Sequence, residues 1–277
     1  MITALLIFAG LVCSCEKKQN DLQQAGIKAN VKSIREITYL AVGDKDTIVQ
    51  GERVTGEGLN NYYATYNKDG YLTKIENYDN MGEIVDSWKF FFDDKGEALG
   101  SNYYARDGSL MDSTYYVLDK NGNIIEYYHY TAEGKLKNKI LSSYHKHNIV
   151  EEKFFDNENV LLTTSYCKYK KGLLIEDSLI DNNTGKTKYH SYYTYDANKN
   201  LQSHTIFNSE GKIDSQGIFS TNEHGDIISN ITKVPNSADI VYTYTYFYDE
   251  KDNWIKKITY ISNQAAYLTI RQIEYYK

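Results

Sequence analysis

Few side chains in this sequence stand at spacings that chemistry uses. His145 and His147 flank Lys146, and two imidazoles that close can begin a metal site. They fall in a turn of the repeat described below, where exposed turn histidines are the simpler account. His129, His190, His204 and His224 are scattered singles. Carboxylates are abundant, and glycosidic cleavage needs two of them facing one another across a sugar. Most lie in turns, as Asp93-Asp94 and Asp249-Glu250 do, where a turn role suffices. No catalytic pair stands out, no glycine cluster could cradle a phosphate, and no Gly-any-Ser-any-Gly elbow is present. Cys167 has no second cysteine or nearby histidine and reads as a small buried hydrophobe. Metal, cofactor and catalytic residues are therefore not expected.

What remains is aromatic. In VYTYTYFYDEKDNW, Tyr242, Tyr244, Tyr246 and Tyr248 alternate with Thr243, Thr245 and Phe247, so the tyrosines share one face of a strand. Aromatic platforms stack on sugar rings or anchor protein partners. Tyr242, Tyr244, Tyr246, Trp88 and Trp254 are the candidate binding surface, and packing inside a curled sheet is the alternative use of the same rings.

The elements that position these rings follow from an internal repeat. Gly70, Gly82, Gly96, Gly108, Gly122 and Gly134 stand 12, 14, 12, 14 and 12 residues apart. The slot continues through Asn148, Asn159, Gly172, Gly185, Asn200, Gly211 and Gly225. Four positions before it stand Tyr66, Tyr78, Phe92, Tyr104, Leu118 and Tyr130, and two positions after it Leu72, Ile84, Ala98, Leu110, Ile124 and Leu136. A strand ends on the aromatic, Asp or Asn opens a turn, and Gly supplies its left-handed residue. The next strand begins with an aliphatic partner on the same face. Steps this short leave no room for parallel crossovers. The expectation is an all-β, antiparallel β-meander of about sixteen strands in repeated hairpins, forming a curled or twisted elongated sheet. Its first strand is Val31–Val42, paired around Asp46–Arg53, and its last Leu268–Tyr276.

Composition agrees. The 28 tyrosines suit half-buried pleated surfaces, and a single proline leaves the strands unbroken. A net charge of −6 argues against nucleic acid as a partner.

The first fifteen residues, MITALLIFAGLVCSC, are an address. Their apolar run is too short to span a bilayer and fits a secretory signal, although no Lys or Arg precedes it. Val12-Cys13-Ser14-Cys15 resembles a bacterial lipobox, which makes Cys15 the lipidated residue and the lipid bilayer a partner. Residues 1–15 are thus a lipoprotein signal peptide, 16–29 a flexible tether and 30–277 a single β-hairpin repeat domain. Asp112-Ser113-Thr114, Asp177-Ser178-Leu179 and Asp46-Thr47-Ile48 resemble O-glycosylation acceptors of some envelope proteins.

Tyr78-Asp79-Asn80-Met81-Gly82-Glu83-Ile84 and Phe92-Asp93-Asp94-Lys95-Gly96 resemble the YD repeats of RHS-type proteins, with Tyr195-Asp196 and Tyr248-Asp249 keeping the dipeptide. Short, degenerate matches extend over roughly residues 60–260. Large RHS proteins wind such repeats into a shell around a toxin. This chain has too few repeats for that shell and lacks an Asp-Pro-any-Gly core motif, so the resemblance implies stacked hairpins only. Address and repeat together predict a lipid-anchored envelope protein, at the outer membrane, acting as a non-catalytic binding module for a glycan or another envelope protein. A polysaccharide-acting hydrolase, or a structural or immunity partner of a secreted protein, are the alternatives.

Overall fold

The computed structural model describes residues 19–43, 47–56, 58–93, 96–145 and 148–277. Residues 1–15, with Cys15, and also Asp46, Asp94, Lys146 and His147 lie outside the described residues.

The turns form as their residues dictate. In Asp119-Lys120-Asn121-Gly122, the Asp119 carboxylate accepts from the N–H of Asn121 (2.8 Å) and of Asn123 (2.9 Å). Gly122 sits at φ +80°, its N–H on the Asp119 carbonyl at 3.0 Å. A side-chain oxygen accepting the N–H four residues on recurs at Asn67, Asp79, Asp93, Asp156, Asp196, Asn208, Asn222 and Asp249. One slot differs from expectation: Lys199, not Asn200, takes the left-handed conformation (φ +70°), and Asn200 donates its N–H to Asp196.

Among the described residues nineteen strands result: β1 (Val31–Val42), β2 (Val49–Arg53), β3 (Tyr62–Tyr66), β4 (Leu72–Tyr78), β5 (Ile84–Phe92), β6 (Ala98–Ala105), β7 (Leu110–Leu118), β8 (Ile124–Thr131), β9 (Leu136–His145) and β10 (Ile149–Asp156). Then follow β11 (Leu161–Lys170), β12 (Leu173–Asp181), β13 (Lys186–Tyr195), β14 (Leu201–Asn208), β15 (Ile213–Thr221), β16 (Ile227–Lys233), β17 (Ile240–Tyr248), β18 (Trp254–Ile261) and β19 (Gln264–Tyr275). The aromatic and aliphatic repeat positions are direct partners: Tyr66 with Leu72, Tyr78 with Ile84, Phe92 with Ala98, Tyr104 with Leu110. A register shift, the signature of a bulge, lies beside each of these pairs.

The open, curled meander of about sixteen strands is not what forms. Strand β1 pairs antiparallel with β19, from Val31 opposite Tyr275 to Leu40 opposite Tyr267. On its other edge β1 pairs with β3 through Ser33–Glu36, while β2 covers the rest of that edge from Tyr39 to Val42. Since β3 to β19 pair in succession, β1 and β3–β19 close into an eighteen-strand barrel. Eighteen is even, so an up-and-down path returns antiparallel to its start and can join it. An open sheet would leave two edges of unpaired N–H and C=O groups, and closure removes both. Two terminal strands of equal length, twelve residues each, make that seam continuous.

Among the described residues the barrel has no single central hydrophobic core. Nine hydrophobic side chains are buried among the described residues, and most strand positions are half-buried. That fits a ring of eighteen strands, about 30 Å across if round, which is too wide for side chains to fill. Two small buried clusters stand along the seam instead: Ile48, Ile258 and Leu268 form one, and the other lies at one end of the barrel. There Asn20 caps the short helix α1 (Asp21–Gln24), inside the segment expected to be a tether. Leu22 forms a buried cluster with Val31 and Ile34, and Ile27, Tyr62, Tyr66, Ile273 and Tyr275 pack against it. The Leu22 N–H donates to the Gly70 carbonyl (3.2 Å), and Leu72 N–H donates to the Asp21 carboxylate (2.6 Å), so α1 plugs this end against the β3–β4 turn.

Candidate binding surface inside the barrel

Strand alternation sorts the wall into two faces. One carries the most exposed strand residues, among them Lys89, Phe91, Met111, Tyr115, Val117, Tyr166, Lys168, Tyr192 and Phe247, and is the outer face. It holds charges at mid-strand. Lys74 pairs with Glu76 (2.6 Å), Lys153 with Glu151 (3.2 Å) and Lys168 with Glu176 (3.4 Å). Tyr128 O–H donates to Glu126 (2.6 Å). A wall facing lipid would instead show an apolar band about 25 Å tall. Here such charges alternate with exposed Phe91, Met111, Val117 and Phe247, so no continuous apolar band forms.

The other face is the interior, and all five sequence-derived binding candidates point to it. Register carries the assignment across the sheet: Trp88 is opposite Tyr103, Tyr242 opposite Ile261, Tyr244 opposite Thr259 and Tyr246 opposite Lys257. Trp88 and Tyr103 lie with ring centroids 4.6 Å apart. The tyrosine row continues in steps, Tyr244 to Tyr246 at 6.4 Å and Tyr246 to Tyr248 at 6.3 Å. Tyr246 meets Trp254 edge-on at 5.9 Å and donates its O–H to the Ile227 carbonyl (2.9 Å). Burial raises the Tyr244 and Tyr246 hydroxyls above the ordinary phenol value, which strengthens their hold on the proton. Trp254 is not a free platform: the Arg271 guanidinium lies 3.4 Å from its ring centroid and the Lys257 ammonium 5.2 Å.

Charged groups that the sequence reading missed sit on the same inner face. Glu36 is 1% exposed and accepts from Arg271 Nε (2.6 Å), Asn60 Nδ2 (3.1 Å) and Tyr62 O–H (3.3 Å). The signal was present in Ile34-Arg35-Glu36-Ile37-Thr38, where alternation places Glu36 between Ile34 and Thr38, which demands a buried partner. Burial lowers the Lys257 ammonium, with Glu36 opposing that shift. Further round, burial alone raises the Glu152 carboxyl. Burial also raises Asp177, against hydrogen bonds from Ser191 and Tyr193. Asp177 Oδ1 and His204 Nε2 are buried without partners, and His204 stacks on Tyr193 at 4.3 Å. Between the two carboxylates, burial pushes the Cys167 thiol up to about 11, which keeps it protonated and unreactive.

The remaining candidates fall elsewhere. His145 is exposed on the outer face, 3.5 Å from Glu151. Asp93 and Asp249 serve their turns, and Asp249 also accepts the Tyr275 hydroxyl. Ser113 is buried, and Asp112 pairs with Lys137 (2.9 Å), so that acceptor-like triplet is structural. Among the described residues no cluster of three potential ligands could hold a metal, and no helix is long and apolar enough to cross a membrane.

Fold and surface define a class: a closed β-hairpin barrel, charged outside and lined with aromatic and polar groups inside. No family model matches the chain, and no curated protein matches it in sequence. Among solved structures it is similar to a porin-like protein from Bacteroides uniformis ATCC 8492, at 13% identity and a TM-score of 0.46, covering 89% of this chain and 98% of that one. It is also similar to part of TcdB2-TccC3-TEV, at 14% identity and a TM-score of 0.28, with 83% of this chain matching 15% of that one.

Proposed function

We propose that this protein is a non-catalytic envelope binding module, held on the membrane by lipid at Cys15, whose barrel interior receives a glycan. One observation carries the reading. The rings singled out from the sequence, Tyr242, Tyr244, Tyr246, Trp88 and Trp254, share the concave face, where polar groups such as Arg271, Lys257, Asp177 and Asn230 stand among them. Rings beside donors and acceptors suit a ligand that is apolar on its faces and hydroxylated at its rim. The charged outer face suits a barrel standing in water beside a membrane, tethered rather than inserted.

The chain's two tryptophans both lie on the inner face, so intrinsic fluorescence reports on the interior without a label. A glycan array should yield an oligosaccharide that quenches or shifts this emission saturably. Silence on the array, with emission unmoved by envelope polysaccharides, would end the reading.

A hydrolase is the second reading, and the Glu152–Asp177 pair favours it. They lie on β10 and β12, either side of β11 and two residues apart in register, so their Cα atoms are about 12 Å apart. Both carboxyls are raised and face the interior, and side chains leaning toward one another would bring them toward the roughly 6.5–9.5 Å that an inverting acid and base need. Release of reducing ends from the bound oligosaccharide, abolished by Glu152→Gln, would favour this reading over simple binding.

A further inference from the structure

Between the plug and the inner wall lies a pocket of about 230 Å³, bounded by Gln24–Lys28, the turn around Asp226, Asp252, Trp254 and Arg271. Its polar groups are held in place but incompletely used. Arg271 spends its Nε on Glu36 at 2.6 Å, and its plane is clamped on Trp254. The side chain is 16% exposed, and neither terminal amino group has a hydrogen-bond partner among the described residues. Asp226 accepts the Tyr248 hydroxyl on Oδ2 (2.7 Å), which leaves Oδ1 for a donor. Asp252 stands 3.6 Å from Lys28, an ion pair beyond hydrogen-bond reach that both groups can loosen.

Lys28 and Arg271 stand against Asp226 and Asp252, and Glu36 already holds the charge of Arg271, so the pocket has no surplus of positive charge to draw an anion. The two unbonded amino groups of Arg271 and the open oxygen of Asp226 line the same pocket, a set that matches vicinal hydroxyls, which both accept and donate. Because Arg271 covers Trp254, recognition here works through hydrogen bonds, with the indole fixing the guanidinium in position.

We propose that this pocket receives a single pyranose unit, the terminal residue of a neutral glycan threaded through the barrel. Arg271 donates to adjacent hydroxyls and Asp226 accepts from one. The inference rests on the glycan-binding reading above and deepens it by assigning the terminal sugar's site.

The test uses the full chain, the array-selected oligosaccharide, and free glucose, galactose, mannose and N-acetylglucosamine. Asp226→Asn keeps an acceptor for Tyr248 but alters the pocket; Arg271→Lys keeps a cation beside Glu36 but removes the fork. Each should weaken the oligosaccharide at least tenfold, while Lys212→Gln, an exposed position far from the pocket, should leave free-monosaccharide binding unchanged by saturation-transfer NMR. Melting temperature checks folding, and Asp226→Asn stands as the test if Arg271→Lys loosens the seam. Undiminished oligosaccharide affinity in a folded Asp226→Asn protein overturns the pocket and leaves the interior reading intact. No oligosaccharide binding by the wild type overturns both.

Discussion

Replacing Glu36 with Gln should open the barrel at its seam. Glu36 lies on β1 directly opposite Arg271 on β19, at the pairing that turns a sheet into a closed ring. Its carboxylate takes three hydrogen bonds, from Arg271 (2.6 Å), Asn60 (3.1 Å) and Tyr62 (3.3 Å). Glutamine keeps one acceptor oxygen and points an N–H₂ at groups that are themselves donors. The arginine is then left buried without its counter-charge. Breaking a buried pair from one side costs about 3–5 kcal/mol, a large share of the roughly 5–15 kcal/mol that holds a domain together. For a chain of this size that corresponds to a melting-temperature loss of roughly 6–20 °C. Urea unfolding followed by tyrosine and tryptophan signals measures it, with hydrogen exchange at β1 and β19 locating the opening. Lys212→Gln is the control, because its partner Glu210 is exposed and such pairs contribute about 0–1 kcal/mol. Glu36→Leu with Arg271→Met should recover much of the loss by removing both charges. A Glu36→Gln penalty under about 1 kcal/mol would refute the claim that this pair secures the closure.

Three further outcomes follow from single residues. Glu152→Gln should stabilise the protein at neutral pH and do little in acid: a carboxyl whose folded pKa is raised binds its proton more tightly when folded, so stability falls as pH rises from its unfolded pKa through the folded one; melting curves across pH 4–8 check this. Gly100→Ala should cost roughly 2–4 kcal/mol, because at φ +154° its Cβ would stand 2.0 Å from the Thr114 carbonyl oxygen and break the β6–β7 ladder; a urea midpoint equal to wild type would contradict it. Asp119→Ala should lose about 1–2 kcal/mol with the two N–H bonds the carboxylate accepts, while Asp119→Asn is tolerated. Since its folded pKa is lowered, the charge's contribution is present above the unfolded value and lost as pH falls through the folded one, so the Asn variant should show a shallower acid transition.

The turns, the strand pairing and the shared face of the tyrosine row were legible because each is local. A side-chain oxygen and a left-handed residue fix a hairpin within five positions, and alternation fixes a face within two. Closure was not legible, because pairing of β1 with β19 joins residues more than 200 positions apart and no short pattern records it. The same distance hid Glu36 with Arg271, and hid the docking of Leu22 against Tyr275. Trp254 was found as a ring but not as a clamp for Arg271, since that contact also crosses strands.

The alternating step of the repeat explains why the interior is aromatic at the plugged end. On a regular strand, residues an even number apart share a face. Leu72 and Tyr78 are six apart, Ile84 and Phe92 eight, Leu136 and Tyr144 eight. Each of these strands carries one extra residue in a bulge just after its aliphatic position, which swaps the faces. The hairpin between β9 and β10 has no register shift, and there the step from Val150 to Phe155 is five. Even with a bulge and odd without one, the outcome is the same: successive pairs alternate sides. Every turn at the plugged end therefore sends its pair inward, as with Tyr66 packed on Leu22, Val150 buried beneath Tyr144, and Tyr248 beside Trp254. Turns at the other end send theirs outward, where Arg35 covers Tyr78, Lys89 covers Tyr104 and Lys139 covers Phe155. A rule of counting thus places an aromatic collar inside the barrel at the end where the plug, Arg271 and the pocket lie, and covers its outer counterpart with cations that water can solvate.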